Sequence, residues 1–489
     1  MIGSKQELLG VLRQYNPWWG GGRSSDLPKW RRAAFAEIRA WMQSPPAGRA
    51  LLLSGARQVG KTTLFLQAID SLLDRRVPAA NILYATLDHP LFKLSGLDAL
   101  MQLWREFEAP REGPEYVFLD EVQQARDWQV WIKHQVDFEK RRRIAITGSA
   151  TPLVTEGQES GVGRWQTIRL STMSFYEHLQ LRRLQEGVAP IPDLPTVSSL
   201  RSLQEWKPTD FIRVASEARP LLVHFHEYLL RGGFPQCALI ESIPLAQKLL
   251  REDIVDKVLK RDMTAIFGVR RVIELEQVFL YLCLHDGGLL DVPQLCQRLE
   301  AKRTTVLNYI DLLEAAHLIH RLRPLGYGKQ ILRSRPKVYL ADPAIAPSAL
   351  LKGRGLLEDS DALARAVETA FFNHVYQRYW ARSVGFSYWR GKRDREVDIV
   401  ADIDGRLVPF EVKYRSPEHT RPGDLKGLSE FCESKRVDLA YVITRELSDF
   451  RAQTSPEAPG RARVLKVPAA LACYWLGRSE FDSAQQPGG

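Results

Sequence analysis

The sequence predicts an α/β chain whose first part is a parallel sheet carrying a phosphate-binding loop, followed by a small helical module and a second α/β module. Three observations carry that expectation. A short apolar stretch, Leu51-Leu52-Leu53-Ser54, runs into a glycine-punctuated loop and then into a helical pattern. Strand and helix patterns alternate up to about residue 150, the habit of a parallel sheet covered on both faces. Near the carboxyl end, a long helix pattern precedes two strand patterns separated by a turn at Asp404-Gly405.

The loop is Gly55-Ala56-Arg57-Gln58-Val59-Gly60-Lys61-Thr62-Thr63, the pattern G-x-x-x-x-G-K-T, and residues 64–73 continue it as a helix. Glycines let backbone N–H groups close around a phosphate, and a helix N-terminus adds the positive end of its dipole. Gly55, Gln58, Val59, Gly60, Lys61, Thr62 and Thr63 are therefore the candidate cradle for ATP. Lys61 is expected to reach the β- and γ-phosphates, and Thr62 to ligate Mg2+. A second apolar strand, Tyr116-Val117-Phe118-Leu119, leads into Asp120-Glu121, where Asp120 is the expected metal ligand and Glu121 the group that polarises an attacking water. Without the loop upstream, such an acidic pair reads equally as a helix N-cap. A third strand, residues 143–147, ends in Gly148-Ser149-Ala150-Thr151, so Ser149 or Thr147 is the candidate sensor of the γ-phosphate; an ordinary Ser/Thr turn is the other reading. Residues 81–87 are expected as a strand between the loop strand and the acidic strand.

At 489 residues the chain exceeds what one core supports, and about three domains are expected. Apolar residues make up 45% and charged residues 26%, ordinary globular values that exclude neither enzyme nor binding module. No apolar run approaches the roughly 18 residues of a membrane span, and residues 1–7 lack the pattern of a secretory signal, so a cytoplasmic protein without a membrane partner is expected. Cys237, Cys283, Cys296, Cys432 and Cys473 are scattered and form no C-x-x-C, which argues for buried thiols over disulfides or zinc. Lys plus Arg exceed Asp plus Glu by 68 − 58 = 10, favouring polyanionic partners.

Beyond a helical linker at residues 249–260 and a helix at 272–284, residues 290–299 and 303–315 read as a helix-turn-helix, with Val306, Tyr309, Ile310 and Leu313 on one face of the second helix. Strand-like residues 318–325 and 337–341 flank a basic loop with Lys329, Arg333, Arg335 and Lys337, the expected wing. One reading sets Lys302, Arg303, Thr304, Thr305 and Asn308 against DNA; the other makes the module a lid or spacer that meets protein.

Taken together, Asn16-Pro17-Trp18-Trp19, the loop, Leu119-Asp120-Glu121-Val122-Gln123 with Asp127-Trp128, Thr147-Gly148-Ser149, Gly163-Arg164, Ser174-Phe175-Tyr176-Glu177 and Gly232-Gly233-Phe234-Pro235 give the chain a family likeness. It resembles bacterial and archaeal AAA-type P-loop ATPases fused to a winged helix and a carboxyl-terminal restriction-endonuclease-like, PD-(D/E)xK, domain. The resemblance implies an AAA-type core with its amino-terminal extension over 1–180, an insertion and helical lid over 181–270, a winged helix over 271–350, and the nuclease-like domain over 351–489. It implies a homo-oligomer, such as a hexameric ring, in which Arg164 completes a neighbour's ATP site; a structural arginine is the plain alternative. Residues 181–222, with Pro190, Pro192, Pro195 and Pro208, depart from the family and read as an insertion. Trp18 and Trp19 either meet a neighbouring subunit or close the edge of their own domain.

In the last domain the resemblance points to Asp398, Glu411 and Lys413. Within one strand, residues 411 and 413 face the same side, so Glu411 and Lys413 project together toward Asp398 on the next strand. Two carboxylates can hold Mg2+, or Mn2+ in its place, while the lysine positions water and steadies the phosphate. Glu368, on the preceding helix, is a further candidate metal ligand or a surface charge, and Val397 stands where the namesake motif has proline. The implied function is an ATP-hydrolysing, DNA-binding protein with metal-dependent endonuclease activity, a branched substrate such as a four-way (Holliday) junction included. Its rival is a regulatory ATPase switch whose terminal domains bind DNA or protein without cutting.

Overall fold

The computed structural model describes residues 5–25, 27–108, 110, 112–148, 163–185, 187–265, 268–326, 334–380, 384–415, 425–454 and 462–485. These fall into two compact units, one reaching to Ser171 and one running from Thr172 to Ser483 apart from Ala315–His317. No helix among the described residues is long and apolar enough to cross a membrane.

The first unit is a five-stranded parallel sheet of β1 (Ala50–Ser54), β2 (Ile82–Thr86), β3 (Glu115–Asp120), β4 (Arg142–Gly148) and β5 (Trp165–Arg169), ordered β2-β3-β4-β1-β5. Every residue of β1 and β3 is buried, the continuous apolar reading of strands covered on both faces. Alternate residues Leu52, Leu83, Val117, Leu119, Ile144 and Ile146 share a core with Leu100, Trp104 and Ile132 from the helices α5 (Leu97–Glu108) and α6 (Trp128–Phe138); α1 (Lys5–Tyr15), α2 (Phe35–Gln43), α3 (Lys61–Asp74) and α4 (Pro90–Ser95) complete the unit. The expected place of residues 81–87 is corrected: β2 is the sheet's edge, and β4 separates β1 from β3. That swap brings Thr147 of β4 beside Asp120.

An edge strand needs a cover. Here Asn16, Trp18 and Trp19 supply it. Asn16 Nδ2 donates to Tyr84 O at 2.8 Å while its Oδ1 accepts from Tyr84 N–H at 2.7 Å, and both indole N–H groups donate to Ile82 O, at 3.0 and 2.9 Å. Of the two readings of these tryptophans, the geometry takes the second, closing their own domain.

In the second unit, α7 (Phe175–Arg182), α8 (Pro208–Glu217) and α9 (Arg219–Arg231) lead to the three-helix segment α10 (Val272–Leu284), α11 (Val292–Leu299) and α12 (Arg303–Ala315). Val306, Tyr309, Ile310 and Leu313 are all buried, as their spacing requires. The hairpin β6 (Ile319–Pro324) and β7 (Lys337–Leu340) follows. Then come α13 (Ser360–Trp380), β8 (Gly385–Arg390), β9 (Glu396–Ile403), β10 (Arg406–Lys413), α14 (Lys426–Lys435), β11 (Leu439–Thr444), β12 (Arg451–Thr454), β13 (Arg463–Pro468) and α15 (Ala469–Gln485). β6 pairs with β8, so the hairpin and the carboxyl-terminal strands form one eight-stranded sheet, β12-β13-β11-β10-β9-β8-β6-β7. The modules expected over 271–350 and 351–489 thus share a backbone ladder.

Residues 181–222 are part of this unit's core. Leu194, Leu203, Phe211 and Leu221 are buried with Phe450, Leu465 and Trp475, the Trp475 indole donates to Pro195 O at 3.0 Å, and the Phe211 and Phe450 rings lie 4.7 Å apart. The Gly232-Gly233 pair also has a local cause. A Cβ on Gly233 would stand 2.3 Å from Met173 O, and one on Gly232, whose φ is +77°, would stand 2.2 Å from Asp342 Oδ1. Buried Asp342 accepts the N–H of Gly233 at 2.7 Å and of Ala344 at 2.9 Å, and burial raises its carboxyl to about 6. Ser174 and Glu177 form a capping box on α7, in this second unit.

Candidate functional site

The phosphate loop joins the end of β1 to the start of α3. Gly60 has φ +97° and Gln58 φ +58°, the left-handed conformations that turn successive N–H groups inward. Gly55 is required by contact, since a Cβ would lie 2.2 Å from Leu170 O at the end of β5. Val59 is fully buried, and Arg32 braces the loop by donating to Val59 O at 3.1 Å and Ser171 O at 2.8 Å. Lys61 Nζ donates to Gly55 O and Ala56 O at 2.9 and 2.8 Å, so its ammonium curls over the loop it serves. Thr62 in the first turn of α3 is exposed, and Thr63 beside it is half-buried.

Asp120 ends β3 in the middle of a hydroxyl cluster. Its Oδ2 accepts from Thr62 Oγ1 at 2.6 Å and from Tyr84 OH at 3.0 Å, and its Oδ1 accepts from Thr147 Oγ1. Burial and then Asp120's charge raise the Tyr84 phenol, which keeps it a donor. Thr147 also accepts the Glu121 N–H at 2.9 Å, and Glu121 itself sits at φ +54° with its carboxylate receiving Gln123 Nε2. Thr147 therefore holds both acids in place. Ser149 lies outside the described residues. Tyr84 and Arg32 escaped the sequence reading because nothing in their neighbourhood marks them; the alternation of β2 places Tyr84 on the same side as Ile82 but does not name its partner.

Arg164 precedes β5 at the amino end of the sheet, away from the loop of its own chain at the carboxyl end of β1. Its guanidinium forms a two-pronged pair with Asp137, at 2.8 and 3.2 Å.

The second constellation lies where β7, β9, β10 and α13 meet. Asp398 Oδ2 accepts the Val412 N–H at 2.9 Å, which puts Asp398 alongside the Glu411–Lys413 strand as the spacing required. Lys413 Nζ lies 2.7 Å from Glu411 Oε1, while Glu411 Oε2 is buried with no hydrogen-bond partner among the described residues. Glu368 is partly buried and accepts from Tyr339 OH at 2.8 Å, so it is no solvent charge. Lys337, expected in the wing, is corrected: it is 3% exposed, and its ammonium lies 2.5 Å from Glu396 Oε1, 3.0 Å from Asp398 Oδ1 and 3.6 Å from Glu368 Oε1. As the first residue of β7 it points into the sheet's acidic pocket, a sidedness that one strand's sequence leaves ambiguous. Burial alone would lower the Lys337 ammonium, but Tyr339 and the carboxylates hold it well above its ordinary value. Burial alone would raise Asp398, yet Lys337 and Lys413 hold it below the carboxylate range. Burial and then Asp398's charge push Glu411 and Glu368 up. Among the described residues, no three His, Cys, Asp or Glu side chains already form a metal cage. The donor chemistry of Asp398 and Glu411 nevertheless suits a hard cation, and the orphaned Glu411 oxygen is where a further partner fits.

On α12, Thr304, Thr305 and Asn308 line one cleft of about 390 Å³ together with Arg270 and Arg271. Arg335 pairs with Asp291 at 2.8 Å, and Lys329 and Arg333 lie outside the described residues.

A strand–loop–helix cradle of the pattern G-x-x-x-x-G-K-T, with Thr62 bonded to Asp120 at the end of β3, defines the first unit as a P-loop nucleotide-binding domain. It is of AAA type: residues 47–179 match the family described as "AAA domain". Residues 222–355 and 364–461 match two families each described as a domain of unknown function, DUF8612 and DUF4143. Similar curated proteins include an uncharacterized protein of Haemophilus influenzae, 25% identical over 384 residues that cover 76% of this chain and 84% of that one. An uncharacterized protein of Mycobacterium tuberculosis is 26% identical over 393 residues, covering 79% and 74%. Among solved structures, AMPPCP-bound DnaA from Aquifex aeolicus aligns at 14% identity and TM-score 0.25 over 60% of this chain and 90% of that one. C. elegans PCH-2 aligns at the same identity and score over 48% of this chain and 63%, less than two thirds, of its own.

Proposed function

We propose that the chain hydrolyses ATP in its first unit and uses the second to bind DNA and cut it at Asp398, Glu411 and Lys413. The observation that carries the ATPase half is the contact set Thr62–Asp120–Thr147–Glu121, because it joins a cation position to a water-polarising acid through one hydroxyl. Loop N–H groups and Lys61 bind the β- and γ-phosphates once the ammonium leaves Gly55 O and Ala56 O. Thr62 and Asp120 hold Mg2+, whose bound charge offsets that of the phosphates. Glu121 orients the water for in-line attack. Arg164 serves a neighbouring subunit's site in a homo-oligomer, since its position excludes its own.

In the second unit, Asp398 and Glu411 hold Mg2+ or Mn2+, which supplies Lewis acidity at the scissile phosphate. Lys413, beside Glu411, positions the water, and the Arg270–Asn308 cleft receives the DNA backbone. Incubation of labelled linear, nicked, forked and four-way DNA with the protein, Mg2+ and ATP tests both halves. Cleavage lost in Asp398→Ala and Lys413→Ala but kept in a matched surface variant supports the nuclease; uncut DNA alongside normal ATP turnover sinks it. One observation favours the rival reading, a switch that binds without cutting: the Lys337 ammonium already engages Asp398.

A further inference from the structure

Lys337 is the first residue of β7, in the hairpin that follows the helix-turn-helix, yet its side chain ends among three carboxylates of the carboxyl-terminal module. Glu396 Oε1 and Asp398 Oδ1 stand at 2.5 and 3.0 Å from its ammonium, within reach of its N–H donors, and Glu368 Oε1 at 3.6 Å adds a third negative charge. Both oxygens of Asp398 are thereby in use, Oδ1 with Lys337 and Oδ2 with the Val412 N–H. Across the same cluster, Glu411 Oε2 is buried without a hydrogen-bond partner among the described residues. A divalent cation shared by Asp398 and Glu411 needs an Asp398 oxygen, and the one on a side chain's account is held by a positive charge that the cation would also repel.

We infer that Lys337 is the resident cation of this acidic cluster and that a divalent metal binds Asp398 and Glu411 only in competition with it. This rests on the reading of those two residues as metal ligands. Lys337 and the metal are then alternative counter-charges, and the hairpin strand that carries the lysine sets the cluster's metal affinity.

The test is direct binding of Mn2+ to the nucleotide-free full chain, followed by the electron paramagnetic resonance of free Mn2+, for wild type, Lys337→Met, Lys337→Gln and Asp398→Asn. Lys337→Gln keeps a neutral donor toward Asp398 should the methionine variant fold poorly. The expected result is an Asp398-dependent site that binds Mn2+ at least tenfold more tightly in either Lys337 variant than in wild type. A melting temperature that rises with Mn2+ in the Lys337 variants, and far less in wild type, is the matching stability readout. If an Asp398-dependent site has equal affinity with and without Lys337, the competition is wrong while the metal-site reading stands. If no variant shows an Asp398-dependent site, the metal-site reading has failed and the inference with it.

Discussion

Thr147 contributes one hydroxyl to two acids, and that economy makes it the most informative single atom of the nucleotide site. It donates to Asp120 Oδ1 and accepts the Glu121 N–H. Thr147→Val keeps the shape and removes both links, leaving the phosphate cradle intact. The expected outcome is ATP affinity within about threefold of wild type and turnover lower by roughly 10- to 100-fold, the range for losing a partner that orients the acids from behind. Equal losses in affinity and turnover would instead make Thr147 a structural residue of the loop. Asp342 offers a second prediction, in pH. Its carboxyl titrates near 6 in the folded chain against an ordinary 3.8, so the folded state binds its proton more tightly. That proton's contribution to stability is fully present below about 3.8 and lost as pH rises through about 6, on the order of 3 kcal/mol in all. In urea unfolding, the difference in stability between wild type and Asp342→Asn should therefore shift in the variant's favour between pH 4 and 7; a difference independent of pH would refute the assignment.

Elements were legible where their signals are local. The strand–loop–helix run from Leu51 and the buried face of α12 need only neighbouring residues to declare themselves, and both form as read. Strand order was not legible in the same way: residues 81–87 read correctly as a strand, but the apolar pattern of Ile82–Thr86 does not say which neighbour it pairs with. Lys337 was misread for a related reason, because a lysine among basic residues looks solvated until the strand that carries Glu396 and Asp398 is placed beside it. The Glu411–Lys413 sidedness, by contrast, follows from the two-residue period of one strand and is met by the geometry. The Asn16–Trp19 segment gives this scale its prediction. Trp18 is 2% exposed and donates to Ile82 O on the edge strand. Trp18→Ala removes a buried indole and uncovers that edge, so about 3–5 kcal/mol of unfolding stability should be lost. Chemical denaturation of the variant measures it, and a loss under 1 kcal/mol would return these tryptophans to the subunit-contact reading.

At the scale of the whole molecule, the placement of Arg164 has a consequence that no single chain can satisfy. The guanidinium precedes β5 at the amino end of the sheet, whereas the phosphate loop follows β1 at the carboxyl end, so an Arg164 that assists hydrolysis must do so in another copy. Its pair with Asp137 is partly exposed, at 38% and 32% of the two side chains, and exposed pairs of this kind are worth at most about 1 kcal/mol, little enough to be exchanged for a neighbour's phosphate. Subunit mixing reads this out. Arg164→Ala keeps an intact loop and lacks the arginine, while Lys61→Ala keeps the arginine and lacks a working loop; each alone should lose ATP turnover by 10²-fold or more. When the two are mixed and allowed to exchange, every interface that sets the loop of the first against the arginine of the second is complete, and turnover should recover to a fraction set by the mixing ratio. Recovery requires an assembly in which sites are shared. Turnover that stays at the sum of the two separate variants, or an Arg164→Ala protein as active as wild type, would leave Arg164 as the partner of Asp137 and nothing more.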